Sequence, residues 1–266
     1  MATSIICTVR DEVRHVEAAV RSALATDAVE VIVADDGSTD GTAEVLRRLA
    51  AEHPRLHVLR PVAPGRGAAL VAAFDASTSP FVMNLDADDG VHPEWVALGS
   101  ALLAATPSLA ALSSSPRYLD ADAEATWGAA PSPMPPPRDV TREIAWLNPL
   151  VHSGAILRRA AVVSVAGYSA ALRTHFDYDL WIRLAEHGWH LGRVDAPFVC
   201  KRLHAGQKFE RDGRLAYLWS SARHQVRAMR AVHAGAWAWG LMMGRLAWGV
   251  LPRAVRMRAR RQLSRA

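Results

Sequence analysis

Cysteine is nearly missing: among 266 residues only Cys7 and Cys200 occur, far apart and outside any CxxC spacing. This excludes a disulfide framework and a thiolate zinc site, and it fits a reducing compartment. A basic stretch ahead of an apolar run is also lacking at the N-terminus, where Arg10 and Asp11 follow almost at once, so no signal peptide is expected. The apolar stretch from Ala236 to Gly244 is stopped by Arg245, well short of the ~20 apolar residues that span a bilayer. Acids are absent from residue 214 to the end, where eleven arginines stand.

Apolar residues make up 50% of the chain, enough for a packed core. The net charge of +5 is unevenly spread: residues 1–200 carry 16 basic and 24 acidic groups, whereas 201–266 carry 15 basic and only Glu210 and Asp212 as acids. An acidic body with a basic tail points to a polyanionic partner for the tail.

The first hundred residues alternate short β-branched runs with helical patterns, the mark of a mostly parallel sheet flanked by helices in an α/β fold. Strands are predicted at Ser4–Val9, Val29–Ala34, Leu56–Leu59 and Phe81–Leu85, with helices at Val13–Leu24, Thr42–Ala51 and Gly67–Ala76. Beyond them a helix is expected over His92–Ala105, extended chain over Leu109–Ser113, Val151–Leu157 and Leu191–Val199, and a helix over Asp179–His187. The proline-rich stretch Ala129–Arg138 reads as a mobile loop. From about Arg214 the composition is helical, mixing Arg with Trp, Leu and Met.

Ligands of an open parallel sheet sit at the carboxyl ends of its strands, and there this sequence is acidic. After the second strand comes Asp35-Asp36-Gly37-Ser38-Thr39-Asp40-Gly41-Thr42, where Asp40 reads as a helix cap and Asp36 can accept from a base N–H. After the fourth comes Asn84-Leu85-Asp86-Ala87-Asp88-Asp89-Gly90, three carboxylates in four residues. Such crowding calls for a cation, and oxygen ligands favour Mn²⁺ or Mg²⁺. A calcium loop does not fit, because Gly90 falls at its fifth place and no Glu stands at the twelfth. Arg66 opens a helix between glycines and can meet a diphosphate. Thr8, Arg10 and Glu12 follow the first strand along the same edge. Asp177 stands just before a helix with Leu180, Trp181 and Leu184 on its apolar face, and His204 follows an extended run.

Four ordered motifs resemble glycosyltransferase family 2, with its GT-A fold, over residues 3 to 210: Asp35–Thr42, Leu85–Asp89, Phe176–Leu184 and Arg202-Leu203-His204. The resemblance implies an inverting, metal-dependent sugar transferase that takes a nucleoside-diphosphate sugar and glycosylates a lipid-linked or glycan hydroxyl in cell-surface polysaccharide synthesis. It assigns base recognition to Asp36, the diphosphate side to Arg66, and ribose or sugar to Asp86. Asp88 and His204 become metal ligands, and Asp177 becomes the general base. Asp89, His152, Asp179, Trp181 and Arg202 are placed near the acceptor or behind the site. Departures from the family pattern are Cys7 for proline, Val9 for an aromatic, Val71 for asparagine, and Phe176 for an acid.

The implied organisation is a catalytic domain over residues 1–212, with a nucleotide-sugar half (1–105) and an acceptor half (106–212), followed by a helical tail over 213–266. Trp at headgroup depth and Arg toward lipid phosphates would hold that tail on an anionic membrane, at the cytoplasmic face. No nucleic-acid recognition motif is found. A non-catalytic sugar-nucleotide-binding relative and a membrane scaffold are the alternatives; turnover separates them from an enzyme.

Overall fold

The computed structural model describes residues 1–121, 123–203 and 214–250, and only the backbone of 214–218 and 246–250. Side chains in strands point alternately to opposite faces, and both faces here are apolar. In β1 (Thr3–Val9), Ile5, Cys7 and Val9 enter one core cluster while Ile6 enters the other. Helices α1 (Val16–Leu24) and, after β2 (Glu30–Asp35), α2 (Thr42–Glu52) cover the first face with Val16, Val20, Leu46 and Leu49. Following β3 (Leu56–Leu59), α3 (Arg66–Ala76) covers the second with Leu70, Ala73 and Phe74.

The chain continues through β4 (Phe81–Asp86), β5 (Gly90–Val91), α4 (Trp95–Ala105) and β6 (Leu109–Asp120). Next come β7 (Arg138–Asp139), a 3-10 turn over Thr141–Ala145, β8 (Ile156–Arg158) and α5 (Arg159–Ser164). Then follow α6 (Phe176–Glu186), β9 (His190–Leu203), α7 (Arg214–Ala231) and α8 (Ala236–Val250). The sheet runs β3-β2-β1-β4-β8-β6-β9-β5, with β7 beside β9. Its first four strands are parallel, β8 is antiparallel to both neighbours, and β6 and β9 run parallel.

Several boundaries differ from expectation for local reasons. The first helix starts at Val16 rather than Val13, and the Val13 N–H ahead of it donates to Asp40 Oδ2 (3.0 Å). The extended run expected over Val151–Leu157 shrinks to β8: Gly154 turns the chain at φ 77°, and its N–H donates to Asn84 O (2.6 Å). Any Cβ there would lie 2.0 Å from Val199 Cγ2, so the turn requires glycine. Helix α6 begins at Phe176, three residues before the expected start, which puts Asp177 inside its first turn rather than ahead of it. The proline-rich stretch is anchored where a mobile loop was expected. Within it Ala130 and Met134 pack on the core, and just ahead of it Trp127 lies 5.1 Å from Arg117 and Gly128 O meets His92 Nε2 at 2.9 Å.

The tail starts as helix, as its composition implied. Helix α7 binds α6 through Arg227, which pairs with Glu186 and Asp179. Helix α8 packs Ala238 and Met242 against Ala145 and Met229 while Trp237, Trp239, Leu241 and Met243 stay 41–60% exposed. Among the described residues no helix is long and apolar enough to cross a membrane.

Candidate active site

Parallel register brings the carboxyl ends of β1, β2 and β4 level, with Thr8 opposite Asp86 and Val9 opposite Asp35. Thr8 is buried between the two acidic segments. Within Asp35–Asp40 most carboxylates do local work: Asp35 accepts from the Ser38 N–H and hydroxyl, and Asp40 from the Thr42 N–H. Asp36 reaches across instead, accepting from Gly65 N (2.7 Å) with Arg10 Nη1 3.7 Å away. It thereby ties the end of β2 to the loop that enters α3. Glu12 bonds His15, and its own N–H donates to Thr42 Oγ1 (2.9 Å), so it lies beside this edge without pointing into the acidic cluster.

The second acidic segment is a cluster of like charges held together by cations. One oxygen from each of Asp86, Asp88 and Asp89 lies within 4.8 Å of the others. Arg66 Nη2 sits 2.5 Å from Asp86 Oδ1, and Lys201 Nζ lies 3.5 Å from Asp86 Oδ2 and 3.0 Å from Asp89 Oδ2. Asp89 Oδ1 accepts from the Arg202 N–H at 3.0 Å, and the Asp89 side chain is 1% exposed. It therefore braces the β4 loop against β9 and cannot face an acceptor.

The electrostatics follow from these contacts. Burial alone would raise the Asp86 carboxyl, but Arg66 and Lys201 override it and hold it well below the usual carboxylate range. Burial pushes Asp89 up to about 6, with Lys201 opposing and the other two acids reinforcing the shift. Lys201 is desolvated yet stays firmly charged, because Asp86 and Asp89 raise its pKa above the ordinary lysine value.

A hard divalent ion suits this donor set, since closely spaced carboxylate oxygens at a cleft edge leave positions for phosphate oxygens. Asp86 and Asp89 are already engaged on both oxygens, and Asp88 completes the group of three carboxylates that could hold such an ion. His204, the other metal ligand implied by the sequence, lies outside the described residues.

The remaining candidates separate into those that line the cleft and those that support it. Arg66 spans both halves: beyond Asp86, its guanidinium carbon lies 5.9 Å from the centroid of Phe176, next to Asp177. Asn148 Nδ2 donates to Asp177 Oδ2 at 2.6 Å and orients that carboxylate. His152 is half-buried behind the cluster, accepting from Asn84 Nδ2 (3.1 Å) and bonding Tyr168 OH (2.9 Å), with its pKa lowered by desolvation. With both ring nitrogens engaged, it supports the site from behind.

Asp179 pairs with Arg183 (2.8 Å) and Arg227 (3.3 Å), and Trp181 is fully buried with its ring 6.3 Å from His152. Arg202 donates through Nη1 to the carbonyls of Ala121 and Ala123, both at 2.7 Å, and through Nε to Asp88 O at 3.2 Å. All three are structural contacts behind the cleft. Lys201, Asn84 and Tyr168 were not singled out from the sequence. Lys201 was adjacent to a quoted motif, but nothing local told its direction.

Comparison with known proteins accords with this arrangement. The model of "Glycosyl transferase family 2" matches residues 4–165. Chondroitin synthase of Escherichia coli is 28% identical over 176 residues, covering 66% of this chain and 25% of the relative. Succinoglycan biosynthesis protein ExoU of Rhizobium meliloti is 33% identical over 205 residues, covering 69% and 57%. The chain thus spans a quarter or less of the chondroitin and hyaluronan synthases it matches.

Among solved structures, the mannosyltransferase PcManGT from Pyrobaculum calidifontis in complex with GDP-Man and Mn²⁺ superposes with TM-score 0.66 at 20% identity, covering 99% of this chain and 80% of that one. S. aureus TarS 1-349 in complex with UDP-GlcNAc gives 0.64 at 16%, covering 87% and 70%. These two likenesses establish the shared GT-A fold. A family match over more than half its length, on a sheet whose strand ends carry the acidic motifs, places the protein: it belongs to glycosyl transferase family 2.

Proposed function

We propose that the protein transfers a sugar, hexose or related, from a nucleoside diphosphate to an acceptor hydroxyl with inversion at the anomeric carbon. The observation that carries this reading is the position of Arg66, one residue in contact with both the Asp86 cluster and the Phe176-Asp177 turn. Direct displacement needs a base on the acceptor and charge neutralisation on the leaving diphosphate, facing each other across one cleft. Asp177, oriented by Asn148, is the base. Arg66, at the positive end of α3, meets the diphosphate, and Asp36 with Thr8 and Arg10 takes the nucleoside. Asp88, with His204, would hold Mn²⁺ or Mg²⁺, which supplies Lewis-acid neutralisation of the departing phosphates.

The solved relatives bind UDP-GlcNAc and GDP-Man, so donors with either base belong in the test. Relatives named for chondroitin and succinoglycan synthesis favour a glycan or lipid-linked acceptor in polysaccharide assembly. Residues 1–212 form the catalytic unit in this reading. Residues 213–266 hold it on an anionic membrane surface at the cytoplasmic face, a role supported by the exposed Trp and Met of α8 and the arginines of the tail.

The test is metal-dependent release of nucleoside diphosphate from UDP-, dTDP- and GDP-sugars, with membrane extract as acceptor source. One donor should turn over. Asp177→Asn should slow that turnover by roughly 10²- to 10⁴-fold while leaving donor affinity intact, and Asp88→Ala should abolish turnover at every metal concentration. Donor binding without turnover by the wild type would refute the enzyme reading.

A further inference from the structure

The chain holds 29 arginines and two lysines, and one of those lysines stands against the acidic cluster. The difference is chemical. A guanidinium is a wide planar fork, whereas an ammonium is a compact point charge of the kind that can sit among carboxylates as a monovalent ion does. Lys201 extends from the end of β9, is 27% exposed at its side chain, and lies between Asp86 and Asp89. Arg66 engages the opposite oxygen of Asp86. Among the described residues, two cations therefore face three carboxylates, and much of the attraction a divalent ion would feel is already offset.

We infer that Lys201 is a built-in counter-ion: it holds the Asp86–Asp89 cluster together when no metal is present and makes tight metal binding depend on the donor's diphosphate. The inference rests on the metal-dependent reading above. With Lys201 in place, a divalent ion gains little from Asp86 and Asp89. A diphosphate brings new oxygens to the ion and new negative charge to Arg66 and Lys201, so metal and nucleotide arrive as a unit. Lys201 is on this account a positioning residue. It sets the charge of the cluster and the order of assembly, and takes no part in bond making.

The experiment is Mn²⁺ titration of the full chain followed by electron paramagnetic resonance of the free ion, alone and with UDP or GDP, together with thermal melting in the same conditions. The wild type should bind Mn²⁺ weakly alone and about tenfold or more tightly with the matching nucleotide. Lys201→Met should bind Mn²⁺ alone about tenfold more tightly than the wild type, and its melting temperature should rise more on adding Mn²⁺. Lys201→Gln, which keeps donors for Asp89 but drops the charge, should behave likewise; Lys201→Arg should stay near the wild type.

A lysine that merely packs would not raise metal affinity when removed. Equal or weaker Mn²⁺ binding by both neutral variants, beside a wild type that binds Mn²⁺ with nucleotide, would overturn the inference and leave the metal reading intact. If the wild type takes up no Mn²⁺ with or without either nucleotide, the metal reading falls and this inference with it.

Discussion

Arg66 lies with its guanidinium carbon 5.9 Å from the centre of the Phe176 ring, while the same group touches Asp86. The family commonly has an acid where this chain has Phe176. The buried aromatic gives the half-exposed Arg66 a platform where an acid would give an ion pair, and a cation–ring contact with an exposed cation contributes about 0.5–1 kcal/mol. Phe176→Leu should therefore lower kcat/KM about two- to fivefold, with Phe176→Tyr near the wild type. Nucleoside diphosphate release at subsaturating donor reads this directly; an unchanged leucine variant would show that Arg66 needs no platform.

Asn148 and Asp177 make the second cross-connection, a hydrogen bond of 2.6 Å between a loop and the first turn of α6. A neutral donor to a carboxylate is worth about 1.5–3 kcal/mol, and under the proposed mechanism it also fixes which oxygen faces the acceptor. Asn148→Ala should reduce kcat about tenfold or more, with donor affinity unchanged, because the lost contact is on the acceptor side. A fall in donor affinity instead would move Asn148 out of the base's support.

Such contacts show where reading the sequence stops. Each acidic motif follows a strand, and parallel strands end on one edge, so the gathering of Asp36, Arg66 and Asp86 was legible from their order. Asn148–Asp177 and Lys201–Asp89 were not, because they join segments 29 and 112 residues apart with no local pattern to announce them. Strands β6 and β9 ran longer than predicted for a similar reason. Their outer halves, such as Arg117–Asp120 with Cys200–Leu203, carry polar residues and are extended because they pair with each other. The start of α6 was missed because its cap, His175, adopts a left-handed backbone (φ 59°) that composition does not signal in histidine.

His175 also carries a pH dependence. Its Nε2 bonds Ser221 Oγ (2.8 Å) on α7, its Nδ1 meets Thr174 Oγ1 (3.0 Å), and its ring stacks on His224 at 5.1 Å. Burial, with His224 beside it, lowers its pKa against the pull of Asp177. The folded state therefore binds fewer protons here than the unfolded chain. This contribution to stability is whole above the unfolded histidine pKa, about 6.5, and is lost as pH falls below it. The His175 contribution should lower the melting temperature between about pH 7.5 and 5.5, against the opposite slope from Asp89, which takes up a proton near pH 6 in the folded state. His175→Asn, which tolerates the left-handed backbone, should remove the His175 share of that slope and leave the opposing shares of His152, whose pKa is lowered in the same sense, and of Asp89. Parallel slopes for the two proteins would remove His175 from the account.

The membrane reading turns on the two faces of α8. One face is spent on the protein: Ala238 and Met242 are buried, and Arg245 donates to the Trp146 carbonyl. The other leaves Trp239 and Met243, one turn apart, 41% and 60% exposed, and the eleven arginines from residue 214 onward have no acids among them. Apolar burial and charge attraction should then act together at a lipid surface. Sedimentation with phosphatidylserine-containing vesicles should pull the protein down at low salt, with much less on neutral phosphatidylcholine. Because exposed charges are screened within about 8–10 Å at physiological salt, added NaCl should weaken binding. Trp239→Ser with Met243→Ser should weaken it further, about tenfold, at every salt concentration. If the double variant binds like the wild type, the arginines act alone and α8 is an ordinary packing helix; if neither binds, the tail has another partner.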